Sequence, residues 1–130
     1  MGTLRKLLLG AIGTLVAAGP LFAHHAWPVD RTKEVTVKGT VTAYTWSDPH
    51  VMIALDVTAA SGNVEKWDVG GPSMTRMAGN SWDKGTLKPG DVITGIGYRF
   101  ADGSNVLQLQ KIVMASGKEM FLYGRPPAGR

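Results

Sequence analysis

This sequence predicts an all-β domain, a small OB-fold-like five-stranded barrel with one short helix, on three observations. Residues 34–46 alternate apolar and polar side chains, the period-two signature of a strand with one buried face. Gly39 interrupts that alternation midway, where a glycine lets one long strand bend and serve both halves of a small barrel. The apolar segments then follow as three strands, a short helix and two strands, the order of a Greek-key barrel. Another small open barrel or sandwich is the runner-up arrangement.

In the first strand, Val35, Val37, Val41 and Ala43 share one face and Thr36, Lys38, Thr40 and Thr42 the other. Ser47, Asp48 and Pro49 supply turn chemistry. His50 to Thr58 returns as a second strand, with Val51, Ile53, Leu55 and Val57 on its apolar face. A hairpin at Ala60, Ser61, Gly62 and Asn63 leads into a third strand, Val64 to Val69. Gly70, Gly71 and Pro72 end it, and Ser73 stands where a helix N-cap belongs, ahead of Met74 to Ala78 with Gly79 as the stop. Residues 81–87 read as a loop. Lys88, Pro89, Gly90 and Asp91 then turn the chain into a fourth strand, Val92 to Phe100. After the Asp102-Gly103 turn comes a fifth, Val106 to Met114, whose apolar phase slips from Leu109 to Ile112 and so predicts a bulge near Gln110 and Lys111. Met120 to Tyr123 adds a short edge strand.

The N-terminus reads as an address. Arg5 and Lys6 precede an apolar run, Leu7 to Ala18, and small residues lead to Ala23, the three parts of a secretory signal peptide. The run is short for a membrane span, and no second hydrophobic segment follows. The predicted organisation is a signal peptide over 1–23, an N-terminal arm over 24–33, the barrel over 34–123 and a flexible tail over 124–130. The predicted location is periplasmic or secreted, by a bacterial Sec-type route. Cleavage after Ala23 makes His24 the mature N-terminus; the competing site after Ala18 would leave Gly19.

Removing the leader lowers the 14 basic side chains to 12 against 10 acidic ones, and the formal charge from +4 to +2. A balance that slight, with the charges interspersed, argues against nucleic acid as a partner. The chain has no Cys, which excludes disulfides, thiolate zinc sites, iron–sulfur clusters and a Cys nucleophile. No nucleophile elbow, P-loop or His-Glu-x-x-His segment occurs, and Gly95-Ile96-Gly97 lies inside a strand without the helix a dinucleotide fingerprint requires.

The chemistry that remains centres on three histidines. A free His24 amine, the His24 imidazole and one further imidazole from His25 or His50 make a nitrogen-rich set suited to Cu(II). His50 follows the turn between the first two strands, and Asp48 is its expected supporting partner or an extra ligand. Trp46 and Trp82 read as exposed aromatics on which an oligosaccharide or peptide stacks. Trp67 reads as core, and Trp27, before Pro28, as a pin for the arm. Met74 and Met77 share a helix face and read as core, not as ligands.

The segments Ala23-His24-His25, Lys38-Gly39-Thr40-Val41, Trp46-Ser47-Asp48-Pro49-His50, Leu87-Lys88-Pro89-Gly90-Asp91 and Asp102-Gly103-Ser104 together resemble a family of small exported bacterial proteins of unknown function. That family has a His pair after the signal peptide and a Trp-x-Asn-Pro-His segment; here Asp48 replaces the usual Asn. The resemblance implies export and one intact domain, and brings no reaction or ligand with it. Three readings follow. The first is an exported binding protein with a copper site at His24, His25 and His50. The second is a metal-independent envelope module for an oligosaccharide, peptide or protein partner. The third is a copper-dependent oxidoreductase, for which no catalytic residues are assignable.

Overall fold

The computed structural model describes residues 26–124. Six strands and one helix follow in chain order: β1 (Val29–Thr45), β2 (Met52–Thr58), β3 (Val64–Gly70), α1 (Met74–Ala78), β4 (Val92–Phe100), β5 (Val106–Met114) and β6 (Glu119–Phe121). β1 pairs antiparallel with β4 through Glu34–Thr40 and with β2 through Thr40–Thr45. β2 pairs with β3 and β4 with β5, both antiparallel. A parallel pairing of Asp68–Gly70 with Val106–Gln108 joins β3 to β5. Five strands thus form a closed ring in the expected all-β, OB-like order, with α1 between the third and fourth, and β6 extends β5 at the edge.

Gly39, where the sequence predicts a bend, stands next to the point at which β1 passes from β4 to β2. A Cβ there would stand 2.6 Å from the Asp56 carbonyl oxygen and 2.9 Å from Val57 Cγ2, so the crossing of β2 over β1 leaves no room for a side chain. Gly97 is tighter still, its missing Cβ overlapping the Gln108 carbonyl. The predicted bulge in β5 is present: the register passes from Ile96↔Lys111 to Gly97↔Leu109 and leaves Gln110 unpaired with β4. Its carbonyl accepts instead from Leu122 N–H at 3.0 Å, which ties down the segment after β6.

The inward faces of the strands form the core, among them Val37, Val41, Ile53, Leu55, Trp67, Val69, Ile93, Leu107, Leu109 and Ile112. Met77 of α1 and Leu122 complete it, both fully buried. Burying an aliphatic or aromatic side chain of this kind contributes about 1.5–3 kcal/mol, so this row supplies most of the drive to close the ring.

Three expectations are corrected. β1 starts at Val29, not Glu34, because the segment read as an arm pairs with β4: Val29 opposes Phe100, and Ala101 N–H donates to the Pro28 carbonyl at 2.9 Å. Ala43 is exposed, because a bulge between Val41 and Ala43 shifts the face by one residue and everything beyond it changes sides. β6 is Glu119–Phe121, and Tyr123 lies beyond it. The proposed signal peptide and the proposed tail from residue 125 onward lie outside the described residues.

Candidate functional site

His50 is exposed and stands two residues before β2, which starts at Met52 and not at His50 as the sequence predicts. Val51 beside it is buried at 1% and exchanges backbone hydrogen bonds with Pro72 and Gly71, while Met52, the first residue of β2, is half-buried. The turn before it contains a cis Asp48–Pro49 bond. Nδ1 of His50 lies 3.2 Å from the Gly71 carbonyl oxygen. A carbonyl only accepts, so in this hydrogen bond Nδ1 carries the proton and the neutral ring keeps its lone pair on Nε2. That is the arrangement in which a backbone carbonyl orients an imidazole for metal ligation.

Trp27 is the neighbour that defines the site. Its ring lies 5.0 Å from that of His50 at 66° and 5.8 Å from that of Phe100 at 80°, both edge-to-face contacts of the favoured kind. Gly70 makes room for it: a Cβ there would stand 2.8 Å from Trp27 Cη2 and would collide with Met52 Sδ. Trp27 therefore lies across the outer side of the ring, over the point where β2, β3 and β5 meet. The expectation that it pins the chain before β1 is met, and the pin is fastened by the Pro28–Ala101 hydrogen bond. Nearby, the Thr32 hydroxyl and backbone N–H donate to the Asp30 carboxylate and hold it below the usual carboxylate range.

The other predicted site residues distribute differently. Asp48 does not orient His50; its Oδ1 accepts from Met74 N–H at 2.9 Å, while Ser73 Oγ accepts from Arg76 N–H. Both cap α1, and the Gly71 carbonyl takes the role expected of Asp48. Trp82 is 2% exposed and donates its indole N–H to the Phe121 carbonyl at 2.9 Å, so it is a core residue and not a stacking platform. Trp46 is half-buried, packed on the core and 6.2 Å from Tyr44, because the bulge near Thr42 turns both rings toward the interior. His24 and His25 lie outside the described residues. Among the described residues no three His, Asp or Glu side chains come together in a way that could hold a metal ion, so a nitrogen-rich site at His50 needs donors from the segment before Ala26. Sequence reading missed Met52, whose only signal is its place two residues after His50 on a strand.

Fold and site together define a small all-β domain that carries a histidine–indole–thioether cluster on its outer surface. Residues 13–108 match a family of unknown function, DUF6152, and the chain belongs to that family. No curated protein matches the chain.

Proposed function

We propose that the chain is an exported binding protein, periplasmic or secreted, whose mature form begins at His24 and holds copper(II). The His24 amine and imidazole form one chelate, and His50 or His25 supplies a further imidazole. The observation that carries this reading is the contact of Trp27 with His50. A chain spans at most about 3.6 Å per residue, so His24, three positions before Trp27, is tethered within about 11 Å of it. The pinned indole thus keeps the new N-terminus within reach of an imidazole whose Nδ1, and not Nε2, is engaged with the Gly71 carbonyl. Nitrogen donors in a tetragonal set favour Cu(II), and deprotonation of the amine and imidazoles makes the affinity rise with pH.

The leader pattern at residues 1–23 supports export. Among the described residues no helix is long and apolar enough to cross a membrane.

The test is a Cu(II) titration of tag-free protein purified after export, with its start fixed by intact mass and its copper followed by electron paramagnetic resonance. One equivalent bound with an axial, nitrogen-rich signal is expected, lost on extending the N-terminus by one residue and weakened by His50→Ala. Binding without oxidative turnover separates the reading from a copper oxidoreductase. Weak or multiple binding that ignores both changes overturns it in favour of an envelope module that uses the β1–β2 loop.

A further inference from the structure

We propose that His50 and Met52, walled by the Trp27 indole, form a site for a soft monovalent metal ion, copper(I) in the cell. This deepens the copper reading and rests on it for the identity of the metal, but its donors all lie within the described residues. His50, exposed, and Met52, half-buried, are two residues apart with buried Val51 between them. Met52 Sδ and Trp27 Cη2 both lie closer than 3.0 Å to the position a Gly70 Cβ would take, and Met52 Cε stands 3.1 Å from it, so thioether and indole are neighbours. The same indole meets the His50 ring edge-to-face at 5.0 Å. The hydrogen bond of Nδ1 to Gly71 leaves Nε2 as the second donor.

The chemistry selects the ion. Thioethers are soft, weak donors that hold Cu(I) and leave Cu(II) to nitrogen, and a cation beside an indole gains attraction from the ring quadrupole. The donors are already ordered: the Pro28 hydrogen bond fixes Trp27, and Met52 is registered against Gly70 and Thr45. Met77, by contrast, is fully buried inside the ring and presents its sulfur to core residues. The two proposed sites share His50 and divide the oxidation states, amine and imidazoles for Cu(II), imidazole and thioether for Cu(I).

The probe is Ag(I), a soft d10 ion that does not cycle. Protein labelled at its methionine methyls is titrated with it, beside Met52→Leu, Trp27→Phe and the N-terminal extension. Leucine conserves the packing under Trp27, so Met52→Leu is expected to unfold like the parent while binding Ag(I) at least roughly 10-fold more weakly, since the loss of a donor costs no less than the loss of a group that only orients one. One equivalent is expected to shift one methyl signal, the one missing in Met52→Leu, and the N-terminal extension is expected to leave that shift in place. A Met52 methyl that does not move, or equal Ag(I) affinity in parent and Met52→Leu, overturns the proposal. Should the Cu(II) signal fail its own test while Ag(I) binding still depends on Met52, the copper(II) reading falls and the soft-metal site stands.

Discussion

Tyr44 shows how one bulge determines what a side chain does. Turned inward after the slip between Val41 and Ala43, it is half-buried and donates its hydroxyl to the Asp83 carbonyl at 2.8 Å. Burial is the main reason its phenol is pushed up from the usual 10 to about 12, with the Asp83 charge adding to the rise and a hydrogen bond with Thr86 opposing it. Because the folded value is raised, the unfolded chain ionises first. The stabilisation is complete below about pH 10 and is lost as the pH rises from 10 to 12. Tyr44→Phe is expected to cost about 0.5–1.5 kcal/mol at neutral pH, the net value of one hydrogen bond, and to flatten the alkaline fall. Urea unfolding of parent and variant at pH 8 and pH 11 checks this; parallel losses in the two proteins would refute it. Trp82 makes the complementary point, since an indole in a polar loop reads as exposed when its hydrogen-bond partner is the Phe121 carbonyl, 39 residues away. Trp82→Ala is expected to cost about 3–5 kcal/mol, as for a buried aromatic, by thermal or denaturant unfolding.

At the scale of elements, the helix explains Asp48. A five-residue helix is marginal alone, and its free N–H groups need acceptors. Ser73 supplies one through Arg76 N, and Asp48 supplies another through Met74 N from the β1–β2 turn, 26 residues earlier. The oxygen matters there more than the charge. Asp48→Asn is therefore expected to keep stability close to the parent, whereas Asp48→Ala loses about 1 kcal/mol, the usual cost of a missing cap; differential scanning calorimetry of the two variants reads this directly. This reverses the sequence-level role of Asp48, because turn grammar at Ser47-Asp48-Pro49 cannot show that a helix end comes to rest above the turn. Other elements were legible in proportion to how local their causes are. Ser73 and Gly79 bracket α1 within a few residues of it. The β5 bulge announces itself because Leu109 and Ile112 are large enough to mark a change of phase. The β1 bulge does not, since Thr42 and Ala43 are both small and either face accepts them. Strand pairing hid the early start of β1, as Val29 owes its strand to Phe100 far along the chain. Met52 went unread for the same reason: it alternates with the apolar face of β2, and its neighbour over Gly70, Trp27, comes from a segment far back along the chain.

For the whole molecule, the weak line of the ring and the proposed metal site coincide. The β1–β4 pairing runs unbroken through Glu34–Thr40, but β3 and β5 are joined only over Asp68–Gly70, with Asp68 N–H donating to the Asn105 carbonyl at 3.0 Å. Local opening takes place where buried contact and hydrogen bonding are least, so the ring is expected to open along this line before it unfolds. Gly70 ends the line and lies directly beneath Trp27 and Met52; moving it away separates the indole and the thioether from the surface that orders them. An ion held by His50 and Met52 binds the closed ring and not the opened one, and stabilises it by the linkage of ligand to native state, about 2.7 kcal/mol at a hundredfold excess over Kd. Native-state hydrogen exchange tests the connection. Without metal, the Asp68 amide is expected to exchange well before that of Val37 in the β1–β4 pairing. With Ag(I) bound, Asp68 is expected to slow by about a hundredfold, the rate equivalent of that stabilisation, while in Met52→Leu it stays fast. Equal protection of the two amides without metal would refute the weak line, and an Asp68 amide indifferent to Ag(I) would show that the outer site and the closure of the ring are uncoupled.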